Sequence, residues 1–151
     1  MRLTMSAAIT AGFALSIAGA ARSEPWVDYT PAKGVWDKTY VHVEPSRIDD
    51  YLVALKKTWV PEQESAKKHG LIDQYIVQVA VSRSTTGPNV MLGVHYVSMA
   101  TLDPDRTRDM ARQAEAEKAF PKAVAATEQE ARAKYRTLLR QEMWTGIDYT
   151  K

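Results

Sequence analysis

Val35-Trp36-Asp37-Lys38-Thr39-Tyr40-Val41-His42-Val43-Glu44, running straight into Pro45-Ser46-Arg47-Ile48-Asp49, is the stretch on which the reading of this chain turns. Its first part carries apolar residues on both alternating sets, Val35, Val41 and Val43 on one and Trp36, Tyr40 and His42 on the other, which predicts a strand covered on both sides. Pro45 stops the strand. Ser46 then offers an N-cap oxygen, Asp49 and Asp50 suit the positive end of a helix, and Ile48, Tyr51, Leu52, Leu55 and Trp59 follow at helical spacing. Pro61 should kink this helix, which resumes through Ala66 and ends on Lys67-Lys68-His69 with Gly70 in the left-handed closing position. His69 reads as a residue of that basic last turn rather than as a ligand.

Downstream, Leu71 to Ser84 alternates again, with Tyr75, Val77, Val79 and Val81 opposed by Gln74, Ile76, Gln78, Ala80 and Ser82. The turn cluster Ser84-Thr85-Thr86-Gly87-Pro88-Asn89 leads into a third strand over Val90 to Val97, so the pair reads as a hairpin. Asp103-Pro104 predicts an N-cap and a first-turn proline for a helix reaching about Phe120. Pro121 then marks a kink or a second, Ala-rich helix carrying Val124, Ala131, Tyr135, Leu138 and Leu139, and Met143 to Tyr149 supplies a short closing strand. Strand, helix, strand, strand, helix, strand is the split βαβ order of α+β, ferredoxin-like domains: a four-stranded antiparallel sheet with helices on one face. The domain is expected over 35–151.

Upstream, the pattern is different. Met1-Arg2 followed by an uncharged small and apolar run from Met5 to Ala21 reads as a signal peptide over 1–23, with small-x-small cleavage patterns ending at Ala20 and at Ser23. An exported, periplasmic protein is the expectation, with no membrane attachment after cleavage. Residues 24–34, with Pro25, Pro31 and Gly34, read as an extended leader. Of the 151 residues, Lys and Arg make 20 and Asp and Glu 18, and removing Arg2 and Arg22 with the signal brings the two level at 18. A domain so near neutrality lacks the field that draws a protein to nucleic acid, and no basic stripe interleaved with aromatics is present. With no cysteine there is no disulfide framework and no zinc-cysteine site. A Gly-x-Ser-x-Gly elbow and a phosphate-cradling glycine loop are also missing from the sequence.

If Val41, Val43, Val77, Val79, Leu92 and Val94 face the helices, the other face of the sheet presents Trp36, Tyr40, His42, Gln74, Ile76, Gln78, Met91 and His95. A face this apolar is not left in water, and two copies meeting across it, as a homodimer, would bury it around a central space.

The chain resembles the dimeric α+β barrel superfamily and, within it, the NIPSNAP-like and related uncharacterised exported proteins. The resemblance is carried by Thr39-Tyr40-Val41-His42-Val43-Glu44-Pro45, Asp50-Tyr51-Leu52, Trp59 followed by Pro61, Lys68-His69-Gly70-Leu71-Ile72 and Tyr96-Val97-Ser98-Met99-Ala100-Thr101-Leu102, roughly Val35 to Leu102. It implies a shared architecture more than a shared chemistry, because the superfamily spans haem-binding oxidases, haem-degrading and quinol-forming monooxygenases and decarboxylase-like enzymes.

Three functional readings follow. In the first, Trp36, Tyr40, His42, Gln78, Met91 and His95 line a barrel interior that binds a small hydrophobic or aromatic molecule. In the second, His42 and His95, on neighbouring strands and one face, act together as a base or as ligands of haem iron in a monooxygenase-like enzyme. No acid on that face completes a metal triad, since Asp37 lies on the other register and Glu44 at the strand end, so no metal site is expected. In the third, the histidines are hydrogen-bonded beside Tyr40 and Gln78 and the dimer interior is filled. The charged runs Arg106 to Lys118 and Glu128 to Arg140 read as solvated helix faces with pairs such as Glu128 and Arg132.

Overall fold

The computed structural model describes residues 24–82, 85–119 and 121–149. The expected signal peptide at 1–23, Ser84 of the turn cluster and Phe120 at the expected helix end lie outside them. In chain order the elements are β1 (Tyr29–Pro31), β2 (Val35–Val43), α1 (Ile48–Lys57), α2 (Trp59–Lys68), β3 (Ile72–Val79), β4 (Val90–Tyr96), α3 (Arg106–Ala119), α4 (Lys122–Ala133), β5 (Arg136–Trp144) and β6 (Ile147–Tyr149). Four strands pair in the order β3-β4-β2-β5, antiparallel throughout. With the helices over one face, this is the ferredoxin-like α+β fold.

Val41, Val43, Val90 and Leu92 from the two central strands close on Tyr51 and Leu55 of α1, with Ile48, Leu52, Trp59 and Tyr135 around them. A smaller cluster, Ala66, Leu71 and Ile72 with Tyr75, Val94 and Tyr96, seals the far end of α2. Cross-strand partners share a face, so the register puts Val77 with Leu92 and Val79 with Val90 on the helix side as expected. Val77 and Val79 sit on the outer strand and stay partly exposed, while Val81 lies beyond the strand end in solvent.

Local chemistry moves several boundaries from their expected places. Pro45–Arg47 forms a 3-10 turn, and neither it nor α1 has a side-chain cap, so Ser46 does not act as the N-cap. The break expected at Pro61 falls at Thr58. A proline excludes the carbonyl of the residue four before it, here Lys57, so α1 ends there and Pro61 is accommodated in the first turn of α2. The end of α2 is as the sequence implies. Gly70 has φ of +70°, its N–H reaches the Lys67 carbonyl at 3.1 Å, and Leu71 N–H reaches the Ala66 carbonyl at 3.0 Å. These are the two bonds of a Schellman closure, with Leu71 and Ala66 packed together beneath it.

The cap of α3 is Asp105 rather than Asp103. The Asp105 carboxylate accepts the Arg108 N–H at 2.9 Å and its own N–H donates to Asp109 Oδ2 at 3.2 Å, while Asp103, held extended before Pro104, ends a 3-10 turn over Met99–Leu102. Leu138 and Leu139, expected on the Ala-rich helix, belong to β5. Leu, Arg, Gln, Glu and Met favour a helix locally, but the free edge of β2 holds unpaired backbone groups that a strand alone can satisfy. β5 bulges where the register steps between Arg140, opposite Tyr40, and Leu138, opposite Val41. The expected closing strand at Met143 to Tyr149 is thus the end of β5 plus the separate β6. The leader over 24–34 is extended in part: its β1 pairs with β6, Tyr29 opposite Tyr149, and Ala32 N–H bonds the Gly146 carbonyl at 2.9 Å.

Candidate functional site

The register gathers all eight residues expected on the open face. Trp36 stands opposite His95 and Tyr40 opposite Met91 across β2 and β4, and Gln74 opposite His95, Ile76 opposite Gly93 and Gln78 opposite Met91 across β4 and β3. His42 continues the same set and faces Thr137 of β5. What the sequence reading missed is the charged dressing supplied by β2 and β5. Arg140 lies 4.1 Å above the Tyr40 ring, Lys38 lies 5.5 Å from the Trp144 ring, and Glu142 takes both Arg140 Nε at 2.9 Å and Trp144 Nε1 at 3.0 Å. The expectation of a helix through Leu138 and Leu139 hid these partners. The face is closely filled where it is apolar: a Cβ on Gly93 would lie 2.8 Å from Ile76 and 3.3 Å from the Trp36 ring.

His42 and His95 share this face but do not meet. His95 is level with Trp36, six positions along β2 from His42, which at about 3.3 Å per residue separates them by roughly 20 Å within one chain. Each has its own partner. His42 Nδ1 is 2.8 Å from the Gly87 carbonyl, tying the β3–β4 turn to β2. His95 Nδ1 is 2.6 Å from Asp73 Oδ1, its ring is 5.0 Å from that of Trp36, and the Cα of Gly34 closes over its other edge, where an added Cβ would be 2.8 Å from Nε2. Asp73 reaches His95 because the β3 register shifts between Ile72 and Gln74, an irregularity that alternation does not reveal. One small molecule, haem iron or metal ion held by both histidines of a single chain is outside this geometry. His69, for its part, closes α2 and sits 3.0 Å from Glu115 Oε2, whose other oxygen takes Lys68 Nζ at 2.6 Å. Lys68 first, and His69 after it, hold the Glu115 carboxyl below its ordinary value.

The helix side of the sheet holds what the sequence did not announce: a cleft of about 840 Å³ between the sheet and α2, α3 and α4. Its floor is Asp37 and Thr39 of β2, Leu92, Val94 and Tyr96 of β4 and Gln141 of β5. The last two helices bring only Ala116 and Ala125 as apolar residues to this face, beside polar ones such as Gln113 and Gln129, while their larger apolar residues, Met110 and Val124, are exposed to solvent.

Polar groups inside are organised. Gln141 Nε2 donates to both Asp37 oxygens, at 2.9 and 2.7 Å. Arg112 Nη1 lies 3.6 Å from Glu62 Oε1. Burial, and then the Asp37 carboxylate, push the Tyr96 phenol above its ordinary value, with Arg112 pulling the other way. Arg132, read from the sequence as a solvated partner of Glu128, is instead 8% exposed and turns inward, its Nη1 donating to Thr58 Oγ1. The Thr58 hydroxyl in turn donates to the Ala54 carbonyl at 2.8 Å. The Nε atoms of both Arg112 and Arg132 are buried without a hydrogen-bond partner. Burial, with Arg136 adding to it, depresses the basicity of Arg132.

Among the described residues no group of three His, Asp or Glu is placed to hold a metal ion, and no helix is long and apolar enough to cross a membrane. No protein-family model and no curated protein matches the sequence, so the NIPSNAP-like resemblance rests on the residues quoted for it. Solved structures of similar shape include a dimeric ferredoxin-like protein from an uncultured marine organism, at 10% identity and a TM-score of 0.45 over 80% of this chain and 91% of that one. A protein from Shewanella oneidensis stands at 12% and 0.45, over 80% and 99%, and a conserved protein from Methanosarcina mazei Go1 at 13% and 0.38, over 79% and 94%.

Proposed function

We propose that this is an exported small-molecule-binding domain that works as a homodimer, the two copies meeting through their open sheet faces and each holding its ligand in the cleft between sheet and helices. The observation that carries the reading is the cleft itself, a space of ligand size on the side where a ferredoxin-like domain ordinarily packs its core. Its floor mixes apolar Leu92 and Val94 with the oriented polar groups of Asp37, Gln141 and Tyr96, the composition of a site that grips a carbon body and fixes its orientation. The ligand therefore moves from the open face, where Trp36, Tyr40, His42, Gln78, Met91 and His95 were expected to line it, to the opposite face.

The open face serves association. Trp36, Ile76, Met91 and Trp144 form an apolar strip in which Trp144 remains 50% exposed, and Lys38, Arg140 and Glu142 give it the mixed charges that pair across a two-fold axis. Export rests on residues 1–23, whose charged start and uncharged run suit a signal peptide.

Titration of the protein with indole, a neutral aromatic probe, followed by amide chemical shifts, tests the site. Shifts clustered at Leu92, Val94 and Tyr96 are expected; shifts centred on Tyr40, Gln78 and Met91 would return the ligand to the open face. Sedimentation at micromolar concentration should give a dimer that Ile76→Glu converts to a monomer, and a monomeric parent protein would remove the dimer from the proposal.

A further inference from the structure

Arg132 is a buried guanidinium with no ion-pair partner, Glu128 acting on it only from beyond contact distance. Its hydrogen bond goes to a neutral acceptor, the Thr58 hydroxyl, its Nε has no partner, and among the described residues no carboxylate forms an ion pair with it. A guanidinium does not escape this by losing its proton, because its basicity lies far above neutral pH even when burial lowers it. A buried, unpaired charge of this kind destabilises the fold that holds it, and a well-packed apolar residue of the same volume would serve stability better. The other arginines of the cleft are matched, Arg108 by Asp109 at 3.1 Å and Arg112 by Glu62 at 3.6 Å. What is missing at Arg132 is a carboxylate in contact with it, and the residue lines a cleft with room to receive one.

Resting on the cleft as the ligand site, we propose that the ligand is a small organic acid whose carboxylate docks on Arg132 and whose carbon body lies over Leu92 and Val94. The forked N–H donors of arginine match the two oxygens of a carboxylate. A single negative charge suits the cleft better than a phosphate dianion, because the carboxylates of Asp37, Glu62, Asp109 and Glu117 line the same space and offset its other cations, Arg108, Arg112 and Lys122.

The test is a shift titration of the full chain with indole-3-acetate and with its neutral amide, indole-3-acetamide. The acetate should bind at least tenfold more tightly, Arg132→Lys should keep a preference for it, and Arg132→Met should bind the two alike. Arg132→Met should also melt no lower than the parent protein, which a purely structural arginine would not allow. If the parent protein binds amide and acetate equally within the cleft, the acid is wrong and the cleft reading survives. If neither probe shifts the cleft residues, both fall together.

Discussion

The side chain of Asn89 completes the backbone pairing of Val43. Its Oδ1 accepts the Val43 N–H at 2.8 Å and its Nδ2 donates to the Val43 carbonyl at 2.6 Å, while its own N–H bonds the Val41 carbonyl at 3.0 Å. One carboxamide thus satisfies both polar groups of a buried strand residue where β4 begins. Asn89→Ala leaves that donor and acceptor unpaired inside the fold and should cost about 1–3 kcal/mol, measured by urea denaturation. Asn89→Asp, which keeps the acceptor and loses the donor, should also destabilise at neutral pH. A neutral Asn89→Ala would show that water replaces the side chain.

Gly34 and Gly70 both have positive φ, of +78° and +70°, but for different reasons. A Cβ on Gly70 meets nothing within 4 Å, whereas one on Gly34 would stand 2.3 Å from the Tyr96 carbonyl oxygen and 2.7 Å from the His95 ring. Gly70→Ala should therefore cost only the left-handed backbone penalty, about 1–2 kcal/mol. Gly34→Ala should cost more, because it must also part β2 from the end of β4. Equal melting temperatures for the two variants would contradict the close approach at Gly34.

Period and punctuation sufficed for three of the four strands of the sheet and for their faces. The alternation in Val35 to Val43, the hairpin around Gly87-Pro88 and the Lys68-His69-Gly70 stop each report a local preference that the fold keeps, and they place all the open-face residues together. The cleft left no such trace. It is assembled from residues of β2, β4, β5, α2, α3 and α4 that lie far apart in sequence, and Arg132 turns inward to the hydroxyl of Thr58, 74 residues before it. β5 was hidden for a related reason: Leu138, Leu139 and Arg140 favour a helix until the edge of β2 claims them. Elements fixed by their own residues were legible, and those fixed by a partner distant in sequence were not.

Glu115 joins α3 to the end of α2 through Lys68 and His69. Its folded-state pKa lies below the ordinary carboxylate value, so its contribution is present above that value and is lost as pH falls through the folded one. Thermal melts between pH 6 and about pH 3 should show the parent protein losing more stability than Glu115→Gln, and added salt should shrink the difference. Parallel acid profiles would mean that the Lys68–Glu115–His69 bridge does not form in solution.

His42 and His95 should behave as strangers. One anchors the β3–β4 turn through Gly87 and the other locks the bulge of β3 through Asp73, and roughly 20 Å of β2 lies between them. Residues so far apart with no shared partner contribute additively, within about 0.5 kcal/mol. His42→Gln and His95→Gln should each lower stability by losing one hydrogen bond, and the double variant should lose the sum. The cycle is run at concentrations spanning the monomer and the dimer, because a two-fold axis running across the strands would bring opposite ends of β2 near one another. Additivity in both regimes leaves each histidine a local tie. A coupling confined to the dimer would mean that His42 of one copy meets His95 of the other, and would revive a shared role for the pair at the interface rather than within one chain.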